Sequence, residues 1–420
     1  MLHLLTPGLE GRPATTVPGA RRLWRIHVIH VFTGPTLSPD DPVLHHESVR
    51  VLPPILHGDL FDPQITPGDT VVILDGAYHH RPALRHKEII WTLGRGIRVI
   101  GASSIGALRA AELSDCGMLG IGTIWSAYLS GVLDGDDEVA VAQSTEGDLA
   151  SCTWPLVRVR RTVRAAVVTG LLDRYQAARL IQALADVYYA HRTLDAVMHV
   201  ARREGLAVFS AWLVTMLDGD RHFGDTKRED ALEALKLAHG LADAPVEPVD
   251  DLHWSTRCFR QWANRFAAQD TDHGRLPTLT RVSYQQVFDP DFKDVWWDYL
   301  AGVGAGDLPR PLACKVINPR TDLTDEKTAA RLLAHETAED RASVGQYACV
   351  NDEARRANDQ FFPEAIKEGV VRDMLAAVWR TGQVGLEEEA WLRGLHGVRE
   401  AVDAARPFVL GFLRDQEAAR

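Results

Sequence analysis

The 420-residue sequence has few of the features that mark specialised protein classes. Its five cysteines, at 116, 152, 258, 314 and 349, are odd in number, scattered and never at C-x-x-C spacing, which argues against a disulfide framework or a zinc ribbon. No stretch approaches about 18 consecutive apolar residues, and Met1 to Thr6 is too short for the apolar core of a signal peptide. No membrane span is therefore expected, and a cytoplasmic location is. Basic charge is in deficit, with 46 Lys and Arg against 57 Asp and Glu and a net charge of −11, so the counterion-releasing surface of a nucleic-acid binder is missing. Internal repeats and long low-complexity tracts are absent too. What remains, at 46% hydrophobic and 25% charged residues, is an ordinary globular composition able to bury a core. Length alone suggests two or three domains of about 150 residues.

Residues 1–24 read as a flexible leader, because positions 7 to 22 are rich in Pro, Gly, Thr and Arg without periodicity. Three β-type runs follow, at 25–32 (RIHVIHVF), 70–74 (TVVIL) and 97–100 (IRVI). Helical stretches at about 83–93 and 105–113 flank the third run. That alternation predicts an α/β fold, a small parallel-sheet core with βαβ crossovers. In such sheets function gathers at the carboxyl ends of the strands, which here carry Gly34-Pro35-Thr36, Asp75-Gly76 and Gly101-Ala102-Ser103-Ser104. From 154 to 205 the spacing of Leu156, Val159, Val163, Val167, Leu180, Leu184 and Val187 predicts packed helices. A Pro-rich and acidic stretch after 240 marks a junction. The expected division is thus a core with appended helices over 25–240 and a mainly helical C-terminal domain over 245–420. Within the latter, helices are expected at 288–300 and 364–413, with loops at 303–325.

The strongest chemical signal is GIRVIGASSIGALRAAEL. A strand, a tight small-residue turn and a helix in this order form the layout of a nucleophile elbow, which needs small residues two before and two after the nucleophile. Ser104 meets that condition with Ala102 and Gly106, whereas Ser103 would place Ile105 where a small residue belongs. The backbone N–H groups of Ile105 and Gly106 would then form an oxyanion hole at the positive end of the helix dipole. The alternative is that either serine simply caps the helix.

A serine hydroxyl needs a base. Lys87 lies on one helical stripe with Ala83, Ile90 and Gly94, and a partly desolvated lysine accepts a proton more readily. The plainer reading is a surface lysine. His86 competes for the role from another face of the helix. Asp75 could orient the base or bind substrate, or merely close a turn. Arg109 and Glu112, spaced i and i+3, suit a structural pair on the elbow helix. No metal site is expected: Asp134, Asp136, Asp137 and Glu138 lack the calcium-loop pattern, and His79, His80 and His86 lack H-E-x-x-H spacing. Arg158, Arg160, Arg161 and Arg164 form a local basic stripe, read as a solvated helix face before a docking site for an acidic partner.

The motifs VFTGPTL, PPILHGDL, ILDGAYHHRPALRHKEI, GASSIGALRAAELSDCGMLGIGTIWSAYLSG and DGDDEVAVA, in this order over about 28–145, resemble the core of TfuA-like proteins. The resemblance implies a role in peptide thioamidation beside a YcaO enzyme. It implies hydrolysis of the thiocarboxylated C-terminus of a ThiS-like sulfur carrier protein, with sulfide released for use on a ribosomal precursor peptide. A Ser-Lys pair without a cofactor is implied, which falls on the serines of GASS and on Lys87. Ile105 stands where the family often has Met, and Thr36 replaces a more usual serine after Gly34-Pro35. Other readings of the same residues are a non-catalytic adaptor that recruits or activates a YcaO enzyme, and an unrelated Ser-Lys amidase or esterase.

Overall fold

A computed structural model describes residues 27–77, 82–143, 151–249, 256–304, 308–319, 321–358 and 360–418. The leader expected over 1–24, and His79 and His80, lie outside the described residues. Five parallel strands form the N-terminal sheet: β1 (Ile29–Phe32), β2 (Val49–Leu52), β3 (Thr70–Ile73), β4 (Arg98–Gly101) and β5 (Leu119–Gly120), in the order β2-β1-β3-β4-β5. The register sets Ile29 beside both Val49 and Thr70, and Thr70 beside Arg98. Three of these strands were legible as β-branched runs. The two edge strands were not, since β2 is only half-buried and β5 is two residues within a glycine-rich stretch.

Helices α1 (His86–Gly94) and α2 (Ile105–Glu112) make the crossovers on one face of the sheet. There Phe32, Val71, Ile73 and Val99 pack on Ile89, Ile90, Leu93, Ile105 and Ala110. The chain continues through α3 (Thr123–Leu129) into a bundle of α4 (Leu156–Val168), α5 (Arg174–Ala185), α6 (Leu194–Arg203) and α7 (Ala207–Gly219), where the predicted stripe of Leu156, Val159, Val163, Leu180 and Leu184 is buried. It then returns to the sheet. Helix α8 (Thr226–Gly240) lays Ala231, Ala234, Leu235 and Ala238 on Ile29, Val31, Val72, Leu74 and Ile100, the opposite side chains of the same strands. A strand alternates its side chains between faces, so two covered faces explain why β1, β3 and β4 are buried at every position.

The direction of α8 fixes the site. Arg98, at the start of β4, donates to the carbonyls of Leu241 and Ala244 just past the C-terminus of α8, at 2.8 and 3.1 Å. The helix therefore runs antiparallel to the strands, and its first turn lies over their carboxyl ends. The remainder of the chain is mostly helical, starting with α9 (Arg257–Phe266) and ending with the helix Val409–Ala418. It has two apolar cores of its own, around Tyr347 and Phe408 and around Trp296 and Leu300. A β-hairpin, Ala268–Thr271 with Gly274–Pro277, and a helix over Arg310–Val316, inside the stretch expected as loop, depart from the sequence-based expectation.

Candidate functional site

Asp75 follows β3 and is the hub of the carboxyl edge. Its side chain is 2% exposed. Oδ2 accepts the backbone N–H groups of Gly34 and Thr36, at 3.0 and 2.9 Å, which folds the Gly34-Pro35-Thr36 turn around it. Oδ1 accepts the Thr36 hydroxyl at 2.7 Å and lies 3.5 Å from the ammonium of Lys227. Lys227, in the first turn of α8, also donates to the carbonyl of Val139 at 3.2 Å. A buried carboxylate and a buried ammonium are tolerated together because each neutralises the other and the remaining lone pairs are hydrogen-bonded.

The serine turn stands at the next strand end. Ser103 has φ of 69°, the left-handed region that a non-glycine residue adopts only where the surroundings impose it, and the sharp strand-to-helix turn requires it. Its hydroxyl donates to the carbonyl of Lys227 at 2.8 Å. Ser104 occupies the N-cap position of α2, but its side chain makes no capping bond. Among the described residues its hydroxyl and the N–H groups of Ile105 and Gly106 have no hydrogen-bond partner. The turn is held tight by Gly106, where a Cβ would lie 1.8 Å from the carbonyl oxygen of Ile73. Ile105 in turn packs on Gly76, the residue after Asp75, so the two strand ends adjoin.

Other expected site residues are not drawn to this edge. Lys87 donates to the hydroxyl of Thr256 at 3.1 Å, and no hydrogen bond joins it to either serine among the described residues. His86 bonds Glu112 at 2.8 Å, and Glu112 also pairs with Arg109, which makes the three an exposed surface network. The basic stripe is mostly occupied: Arg160 bonds Glu138 at 2.6 and 3.0 Å, and Arg161 lies 3.9 Å from Glu229. Arg158 turns inward, stacked 4.2 Å over Trp154 and bonded to the carbonyls of Arg221 and Phe223.

Beside Asp75 a recess of about 60 Å³ opens, lined by Pro35, Thr36, Trp154, Arg158, Asp225 and Lys227 among others. Its charged lining is two cations, Arg158 and Lys227, and one carboxylate, Asp225. Lys227 was missed in the sequence, where DTKREDALEAL looks like a charged helix start. A signal was nonetheless present, because Lys227 falls four residues before Ala231 on the apolar stripe of Ala231, Ala234, Leu235 and Ala238.

Residues 75–193 match the family model described as TfuA-like protein. That segment is TfuA-like. It begins at Asp75 and takes in the serine turn, α1 and the first helices of the bundle, while Thr36 and Lys227 lie outside the matched TfuA-like stretch. Among curated proteins, none matches the sequence. A TfuA-like segment suggests involvement in YcaO-associated thioamidation. No helix among the described residues is long and apolar enough to cross a membrane.

Proposed function

We propose that this protein hydrolyses the thiocarboxylated C-terminus of a ThiS-like sulfur carrier protein and releases hydrosulfide for a YcaO enzyme acting on a ribosomal precursor peptide. The observation that carries this reading is the Asp75 hub, where the buried carboxylate meets the Thr36 hydroxyl and the Lys227 ammonium, two residues that line a small recess. Acyl transfer needs a hydroxyl that attacks, a group that takes its proton and donors that hold the oxyanion. Three hydroxyls stand at this edge, those of Thr36, Ser103 and Ser104, and the N–H groups of Ile105 and Gly106, without a partner among the described residues, are available as donors. Hydrosulfide leaves far more readily than an amine, so little acid assistance is needed. The recess would admit the tail of the carrier and leave its folded body outside.

The test is sulfide release from a thiocarboxylated carrier by the purified full-length protein without a YcaO enzyme. Release is expected, and Asp75→Asn should lower it by about 100-fold or more, since the hub loses its proton acceptor. Removing that carboxylate leaves Lys227 buried without its partner, at a cost of about 3 kcal/mol, so the melting temperature is measured alongside. A protein that releases no sulfide alone but speeds thioamidation by the YcaO enzyme would instead be an adaptor.

A further inference from the structure

We infer that Thr36 is the nucleophile of this site, with Asp75 taking its proton and Lys227 holding the charge of the thiocarboxylate. This rests on the hydrolytic reading and names the groups that perform it. Thr36 and Lys227 both line the recess, whereas neither Ser103 nor Ser104 does. Ser103 commits its hydroxyl to the Lys227 carbonyl. The Thr36 hydroxyl already donates to Asp75 Oδ1 at 2.7 Å, so the proton it must lose has an acceptor in line. The two oxygens of Asp75 differ in their surroundings. Oδ2 is held by two backbone N–H groups, which fix the carboxylate against rotation, and Oδ1 is left facing the hydroxyl and the ammonium. Lys227 has three N–H donors. Two are directed at Asp75 and at the Val139 carbonyl, so one remains for an anion in the recess.

The step balances without a further reactant. Thr36 Oγ1 bonds to the thiocarboxylate carbon, its proton passes to Asp75, and the carbon–sulfur bond breaks with the electron pair going to sulfur. The sulfur takes the proton from Asp75 and departs as hydrosulfide, leaving a threonyl ester of the tail. Water then adds to the ester carbon, giving one proton to Asp75, which returns it to Thr36, and the tail leaves as a carboxylate with release of one proton to solvent.

The experiment uses the full-length protein and a synthetic peptide ending in a glycine thiocarboxylate, with sulfide release and intact mass as readouts. A fluorophosphonate serves as a second, substrate-independent probe of an activated hydroxyl. Thr36→Ala should lower release by about 100-fold or more, Thr36→Ser should stay within about tenfold of wild type, and Ser104→Ala should retain most activity. Equal melting temperatures of Thr36→Ser and wild type confirm that the comparison is between folded proteins. The acyl or phosphonyl adduct should map to Thr36. Release by Thr36→Ala at the wild-type rate, or an adduct on Ser104, overturns the inference while the hydrolytic function stands. Labelling at Thr36 without any sulfide release removes the thiocarboxylate substrate and keeps the nucleophile. Neither labelling nor release overturns both.

Discussion

Lys87 and Lys227 show how one side chain acquires two meanings. Both lie near the start of a helix, but Lys87 sits at the margin of the buried face of α1, which centres on Glu88, Ile89 and Leu93, and its ammonium reaches Thr256. Lys227 lies within the buried stripe of α8 and is 4% exposed. The stripe drawn through Ala83, Lys87, Ile90 and Gly94 catches only Ile90 as a buried residue, so it overstates how far Lys87 is withdrawn from water. A single half-exposed hydrogen bond contributes little. Lys87→Ala should therefore change stability by less than about 1 kcal/mol and leave sulfide release unaltered, as denaturant melts and the release assay would report. A loss of activity comparable to that of Asp75→Asn would return the amine's role to α1. Asp75, Thr36 and the serine turn were legible as site candidates because parallel sheets place strand ends together. Lys227 was not, because the return of a helix from about 150 residues later is a tertiary event that leaves only a periodicity in the sequence.

At the scale of elements, α8 serves the sheet, the site and a neighbouring helix at once. Asp230, one turn beyond Lys227, accepts the first N–H groups of α3, from Thr123 and Ile124, at 2.8 Å each. Gly122, the N-cap of α3, has no side chain to do this, and a Cβ there would lie 2.2 Å from the Asp230 carboxyl carbon. Burial pushes the Asp230 carboxyl up from 3.8 to about 6, outweighing the two N–H bonds that favour its charge. The unfolded chain ionises near 3.8, so charging this group costs the folded state free energy. Its stabilising contribution is complete below about pH 4 and is lost as pH rises through 6, by roughly 3 kcal/mol for a shift of about two pH units. Between pH 4 and pH 7 the stability of wild type relative to Asp230→Asn should fall by up to that amount in parallel urea titrations. A difference that does not vary with pH would mean that the carboxyl ionises at its ordinary pH. This tie between α3 and α8 had no sequence signature beyond a glycine at a helix start. The β-hairpin after α9 was hidden for another reason: its strand Ala-Gln-Asp-Thr has little of the β-branched and aromatic character by which the central strands were read.

Over the whole molecule, among the described residues every group bonded to Asp75 or lining the recess comes from residues 32–227, and the C-terminal half touches the core elsewhere. Beside the Lys87–Thr256 bond and an ion pair of Arg275 with Asp62, that contact includes an aromatic cluster. Phe61 packs between Trp91 of α1, at 4.6 Å between ring centroids, and Phe259 and Phe266 of α9, at 5.9 and 5.8 Å. His57, which bonds the fully buried Glu88, presents its ring to Trp262 and Phe266 at 5.4 and 4.9 Å, edge to face. Gly58 adopts φ of 101°, and a Cβ there would meet the Phe266 ring at 2.4 Å, so the loop must carry glycine for α9 to approach. Burial of this cluster holds the two halves together, and because each half also has its own apolar core, weakening it should release one from the other before either melts. Phe61→Ala should cost about 3 to 4 kcal/mol. Hydrogen exchange should then quicken in α9 and in the helices behind it, while β1, β3 and β4 keep their protection and sulfide release persists. Exchange that rises equally in the sheet would show that the halves fold as one unit, and lost release from a protein with an intact sheet would show that the C-terminal half supports the Asp75 edge after all.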